Sequence, residues 1–180
     1  ARVRSRPVPA RAGELMPQLR AAFAAQGIPP ELAWLAEAES SLNPTARSPV
    51  GARGLFQFMP DTAKAMGLRT FMPDERTDPK RSAAAAARYL RTLHGRFGNW
   101  ALALAAYNAG EGRVGRTLAA RRATTFTAIA EALPDLKTPL VPRNVQWFTV
   151  RAQDFPNPEI AEQILEAHGE DRGDGRRLYR

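Results

Sequence analysis

The 180-residue chain contains no cysteine, which excludes disulfides and thiolate metal sites. It has two histidines, His94 and His168, too few for a multi-histidine metal centre. No thiolate or multi-histidine metal site is therefore expected. No apolar run is long enough to span a membrane. Strand-like alternation is almost absent, and the chain carries no internal repeat. It has neither zinc-finger spacing nor the aromatic-basic signature of an RNA-binding sheet, so nucleic acid is not an expected partner. No export signal is visible. The chain opens at Ala1 without a methionine, as expected of a processed or trimmed product.

What is present is a fold-competent composition. Hydrophobic residues make up 44%, enough for one domain with a core. Lys and Arg number 26 against 18 Asp and Glu, a net charge of +8. Such a surface favours an anionic partner. The arginines cluster mainly at the ends (Arg2, Arg4, Arg6, Arg11; Arg172, Arg176, Arg177, Arg180).

The periodicity predicts a single, mainly helical domain: residues 1–11 form an extended Arg/Pro-rich segment, 12–155 the main domain and 156–180 a last helix and a charged, mobile tail. Leu15, Leu19, Ala22 and Phe23 keep helical spacing, and Gly27 ends that helix. Pro29 and Pro30 open a second helix that runs to about Asn43-Pro44. "TARSPVGARGLFQFMP" is rich in turn formers and reads as a loop or short hairpin. Asp61 is expected to cap a short helix stopped by Gly67. Asp78 at the N-cap and Pro79 at N1 open a longer one. "NWALALAAYNAG" reads as a buried helix capped by Asn99 and ended by Gly110. Further helices are expected at Val114 to Arg121, Phe126 to Ala132 and Val141 to Asp154.

The second helix poses a chemical question. At roughly 100° per residue, Glu39 falls in line with Leu32, Leu35 and Leu42, whereas Glu31 and Glu37 fall on the solvent side. A carboxylate on the apolar stripe is costly unless paired or held in a cleft. Burial without a cation raises its pKa, and a glutamate raised to roughly 6 suits a general acid for glycoside cleavage. The alternative is a structural glutamate bonded to an arginine or to helix-end amides.

Three blocks carry a resemblance: "ES" at Glu39-Ser40, "GLFQFMP" at Gly54 to Pro60 and "AYNAGEGRV" at Ala106 to Val114. In this order and spacing the chain resembles the lytic transglycosylases with the goose-type lysozyme-like fold, most nearly the membrane-bound D type, over roughly residues 12 to 155. The resemblance implies a helical domain with a short hairpin or loop beside an active-site cleft. It implies cleavage of the bond between N-acetylmuramic acid and N-acetylglucosamine in peptidoglycan, with closure of a 1,6-anhydro ring and no call on water, a metal or an organic cofactor. Glu39 would be general acid, then base. Ser48, Gln57, Met59, Tyr107 and Asn108 match residues around the family's sugar cleft. Met59 reads equally well as core, and Tyr107 as a packed aromatic. The implied partner is the peptidoglycan glycan strand, met by a monomer in the periplasm or cell envelope of a bacterium.

Two other readings stay open on the sequence. A goose-type hydrolase needs a second carboxylate to handle water; Asp61 and Glu111 are nearest, the first better read as a cap and the second as part of a turn. A catalytically weak peptidoglycan-binding or scaffold protein fits the altered block "LPDLKTPLVPRN", where Lys137-Thr138 and Leu140-Val141 replace the family's usual Glu-Thr and Tyr-Val.

Overall fold

The computed structural model describes residues 9–130, 132 and 133, and the backbone of three short strands nearer the C-terminus. The chain divides into two compact units, Val8–Thr92 and a second built on Leu93–Arg180. Among the described residues, helix dominates both. Among the described residues, no helix is long and apolar enough to cross a membrane.

In the first unit, α1 (Ala12–Ala24) buries Leu15, Leu19 and Phe23, the residues whose spacing predicted it. Gly27 then takes a left-handed φ of 68° that a side chain resists. α1 packs on a 3-10 turn, Pro30–Trp34, which leads directly into α2 (Leu35–Ser40). The expected second helix is therefore shorter and of mixed type. It stops because Ser41 and Leu42 both turn left-handed, at φ 52° and 57°. Leu42 is nevertheless fully buried.

The next stretch is a small irregular hairpin. Isolated bridges pair Arg47 with Arg53 and Arg53 with Phe58. Phe56 and Phe58 are buried while Gln57 between them is only half-buried. Phe56 stacks on Phe23 with ring centroids 5.7 Å apart, which fastens the hairpin to α1. α3 (Pro60–Ala65) follows. Its cap position is Met59 and Asp61 lies in the first turn without a capping bond, contrary to the expected Asp61 cap. Pro60 at N1 starts the helix instead, its fixed φ being preorganised for that place.

A 3-10 turn, Glu75–Thr77, precedes α4 (Pro79–Phe97). The Asp78 carboxylate accepts from the Arg81 amide at 2.8 Å, the predicted cap. α4 begins in the first unit and ends in the second.

In the second unit, α5 (Trp100–Ala109) is capped by Asn99, whose side chain accepts from Leu102 N. Residues Trp100 to Ala106 are all buried, so this helix is apolar around its whole circumference. His94 stacks on Trp100 at 3.9 Å between ring centroids. α5 ends at Gly110, φ 88°. It packs on α6 (Glu111–Arg121) and α7 (Phe126–Ala130). α6 starts three residues before the expected Val114, so Glu111 is a helical residue and not part of a turn.

Strands β1 (Phe148–Val150), β2 (Gly169–Asp171) and β3 (Arg177–Tyr179) form an antiparallel sheet in the order β1-β3-β2. This corrects two expectations: Phe148–Val150 interrupts the helix placed over Val141 to Asp154, and the charged tail contributes two strands. Lys137-Thr138, Leu140-Val141 and residues 1–8 lie outside the described residues.

Candidate active site

Glu39 sits in the last turn of α2. Its side chain keeps partial solvent access, yet desolvation by the surrounding protein pushes its pKa up to about 7. Among the described residues no hydrogen bond or ion pair reaches its carboxylate. That weighs against a purely structural glutamate, since structural carboxylates are held by donors. A carboxyl group of this kind carries its proton near neutral pH and can release it without first breaking an ion pair.

The other two glutamates of the segment differ from the sequence reading in an instructive way. Glu31 does face outward enough to pair with Arg20 at 2.9 Å. Glu37, expected on the solvent side, is buried at 8% exposure. The uniform helical wheel fails there because the 3-10 turn before α2 rotates about 120° per residue.

Ser40, next to Glu39, anchors the end of α2. Its Oγ lies 2.9 Å from the Ala36 carbonyl and 3.0 Å from the Leu55 carbonyl, and it accepts from the Asn43 amide at 3.2 Å. The single hydroxyl proton is shared between the two carbonyls. The Leu55 contact ties the Glu39 helix to the hairpin that carries Gln57 and Met59.

Within that hairpin, Ser48 accepts from the Val50 amide at 3.3 Å and so shapes its own turn. Gln57 holds a left-handed φ of 47°, an uncommon state for a non-glycine residue. Its Nε2 donates to the Gly54 carbonyl at 2.9 Å, which fixes the amide plane. Met59 is 44% exposed; it is not core, and it offers a polarizable apolar surface to a ligand. Tyr107, half-buried, and Asn108, exposed, lie on the last turn of α5 in the second unit. Glu39, Ser48, Gln57 and Met59 all belong to the first unit, where the Ser40–Leu55 bond joins the Glu39 helix to the segment of the other three.

Neither candidate second carboxylate resembles Glu39. Asp61 is exposed, and Glu111 is paired with Arg96 at 2.7 Å.

The sequence reading missed a buried charged cluster under the hairpin. Asp74 accepts from Arg53 Nη1 at 3.0 Å and from Arg76 Nε and Nη2 at 3.0 and 2.8 Å. The Arg76 side-chain hydrogen bond is the main force holding the Asp74 pKa below its usual range, with Arg53 adding to it against the effect of burial. Glu75, buried as well, accepts from the Arg69 backbone amide and side chain and pairs with Arg81. The Arg69 amide leads in depressing its pKa. The only sequence signal was the charged triplet "DER", which reads as a solvated loop.

Comparison with known proteins follows the same lines. The model of the transglycosylase SLT domain family matches residues 18–129. The chain is 38% identical over 100 residues to membrane-bound lytic murein transglycosylase D of Escherichia coli K12, covering 54% of this chain and 22% of that protein. It is 39% identical over 129 residues to the soluble lytic murein transglycosylase of Salmonella typhimurium, covering 67% and 20%. The chain therefore spans about a fifth of the length of these relatives. The 70 kDa soluble lytic transglycosylase of E. coli superposes with a TM-score of 0.56 at 33% identity, over 68% of this chain and 21% of that one. Lytic transglycosylase Slt of Pseudomonas aeruginosa, in an inactive glutamate-to-glutamine form, superposes at 0.59 with 30% identity, over 74% and 22%. The mainly helical, lysozyme-like fold is shared with these structures. With the family model covering well over half of its residues, this chain belongs to the transglycosylase SLT domain family.

Proposed function

We propose that this chain is the catalytic domain of a peptidoglycan lytic transglycosylase, with Glu39 as its acid and base. The observation that carries the reading is the Glu39 carboxyl: desolvated, with a pKa of about 7, and without a partner among the described residues. By the resemblance of the "ES" block, Glu39 matches the family's catalytic glutamate.

The chemistry follows from one proton used twice. Protonated Glu39 gives its proton to the glycosidic oxygen between N-acetylmuramic acid and N-acetylglucosamine as the C1–O bond breaks. The resulting carboxylate then accepts the proton of the muramic C6 hydroxyl, whose oxygen bonds to C1 and closes the 1,6-anhydro ring. Glu39 ends protonated, and water is neither consumed nor formed. A group with its pKa near the working pH serves both directions of transfer. Ser48, Gln57, Met59, Tyr107 and Asn108 are assigned to sugar binding. In support, Gln57 is held in a fixed orientation by Gly54 and Met59 is exposed beside it. The domain is taken to span 12–155 and to act as a monomer on glycan strands in the bacterial periplasm or envelope.

The test is mass spectrometry of purified peptidoglycan digested with the wild type and with Glu39→Gln. The expected products are one water lighter than hydrolytic muropeptides and are made by the wild type alone. Ordinary reducing ends would replace this reading with a hydrolase. Wall binding with no product from either protein would leave a glycan-binding domain.

A further inference from the structure

The hairpin of residues 51–58 has little regular structure to hold it. Its backbone bonds are the reciprocal Arg53–Phe58 pair at 3.1 Å and a Gln57-to-Gly54 turn bond at 3.3 Å inside it, with Gly51 to Ser48 at 3.0 Å, Ser48 to Ala52 at 2.9 Å and Gly54 to Ala46 at 3.0 Å outside. It also carries three residues with positive φ, Gly51 at 95°, Gly54 at 79° and Gln57 at 47°. Loops in such conformations persist only where the surroundings over-determine them.

A single residue gathers the side-chain hydrogen bonds to both ends of the hairpin. Arg76 is 4% exposed. Its Nη1 donates to the carbonyl of Gly51 at 2.9 Å and to that of Phe58 at 3.0 Å, the two ends of the hairpin. Its Nε and Nη2 are engaged by Asp74, and Asp74 in turn holds Arg53, the central pairing residue, at 3.0 Å. The Arg76 backbone carbonyl closes the arrangement: a Cβ on Gly54 would overlap that oxygen. One residue thus grips both ends and the tip from beneath. On its other side the hairpin meets Ser40 through Leu55.

We infer that Arg76 is a positioning residue for glycan cleavage, holding the hairpin that carries Gln57 and leads into Met59 and, through the Leu55–Ser40 contact, fixing the end of the helix that bears Glu39. The inference rests on the transglycosylase reading above. It explains why the residue is arginine. Four acceptor contacts in two directions need a planar fork of five N–H donors, whereas lysine offers three from one point. Asp74 offsets the buried charge, without which the guanidinium would be too costly to bury.

Arg76→Lys keeps the charge and loses the fork. Initial rates of anhydro-product release from soluble, uncrosslinked peptidoglycan strands, taken over concentration and pH, separate positioning from simple stability. We expect kcat per folded molecule to fall at least tenfold and the alkaline limb of the pH profile to move downward, because a loosened hairpin hydrates Glu39. Amide exchange across 51–58 should quicken at least tenfold while α4 remains protected. Should Arg76→Lys fail to fold, Asp74→Asn loosens the same fork and is read by the same measurements, with the same expected changes. An active wild type together with unchanged kcat, pH profile and hairpin exchange in the folded variant overturns the inference and leaves the cleavage reading standing. An inactive wild type overturns the cleavage reading, and with it any role of Arg76 in cleavage.

Discussion

The Ser40 hydroxyl lies 3.0 Å from the Leu55 carbonyl oxygen, joining the helix of the acid to the hairpin of the sugar-binding candidates. Ser40→Ala removes that link and the acceptor for the Asn43 amide. The expected loss of stability is on the order of 1 kcal/mol. The expected loss of kcat is larger, about tenfold, since a small displacement of a catalytic group is enough to slow proton transfer. Denaturant titration beside initial rates separates the two. Equal, small effects on both would show that the link holds the fold and nothing more.

Glu39 makes stability depend on pH in a direction opposite to most carboxylates. Its pKa rises from 4.5 to about 7 on folding, so the folded state holds the proton more tightly than the unfolded chain does. Stability from this group is complete below pH 4.5 and is lost as pH rises through about 7. Glu39→Gln should therefore be more stable than wild type at pH 8 and equal to it near pH 4. Full desolvation would set the gap at about 3 kcal/mol, and partial solvent access reduces it. Thermal melts at the two pH values measure it. A constant difference across pH would show that Glu39 titrates normally.

The location of Glu39 was legible because Leu35 and Glu39 are four apart on one helical turn, a relation that survived in α2. The burial of Glu37 was not, because a wheel drawn at one pitch cannot register a change to 3-10 geometry or the left-handed turn at Ser41. Helix caps at Asp78 and Asn99 were legible because capping is local. The Arg76 cluster was hidden for the opposite reason. Its partners Gly51 and Phe58 lie 25 and 18 residues away, and they are carbonyls, which every residue has. The C-terminal sheet escaped in the same way: Phe148 pairs with Tyr179, and pairing at that separation leaves no local pattern.

Gly54 and Gly51 both have positive φ, at 79° and 95°, but their surroundings differ. A Cβ at Gly51 meets nothing within 4 Å, while one at Gly54 overlaps the Arg76 carbonyl. Gly51→Ala should cost about 1–2 kcal/mol from backbone strain alone. Gly54→Ala adds a clash with buried backbone and should cost more than about 3 kcal/mol, with loss of activity beyond the loss of folded protein. Urea titration of the pair checks the ordering. Equal costs would mean the hairpin can move away from Arg76, which would also weaken the case for Arg76 as its holder.

Acid should undo the clamp from the other side. Hydrogen bonding from Arg76 depresses the Asp74 pKa below 3.8, so its contribution is present above that value and is lost as pH falls through the lower folded pKa. Glu75, depressed from 4.5 chiefly by the Arg69 amide, acts in the same sense. Combined with the opposite slope from Glu39, wild-type stability should climb as pH falls from 8 to about 5 and decline below about 4. Asp74→Asn should lower the maximum by about 2 kcal/mol, flatten the acid decline and weaken the alkaline slope, because the loosened hairpin hydrates Glu39. Glu39→Gln should remove the alkaline slope and keep the acid one. Denaturant titrations of the three proteins from pH 3 to 8 test both slopes at once. An acid decline unchanged in Asp74→Asn would mean that the Arg76–Asp74 pair does not hold the hairpin in solution.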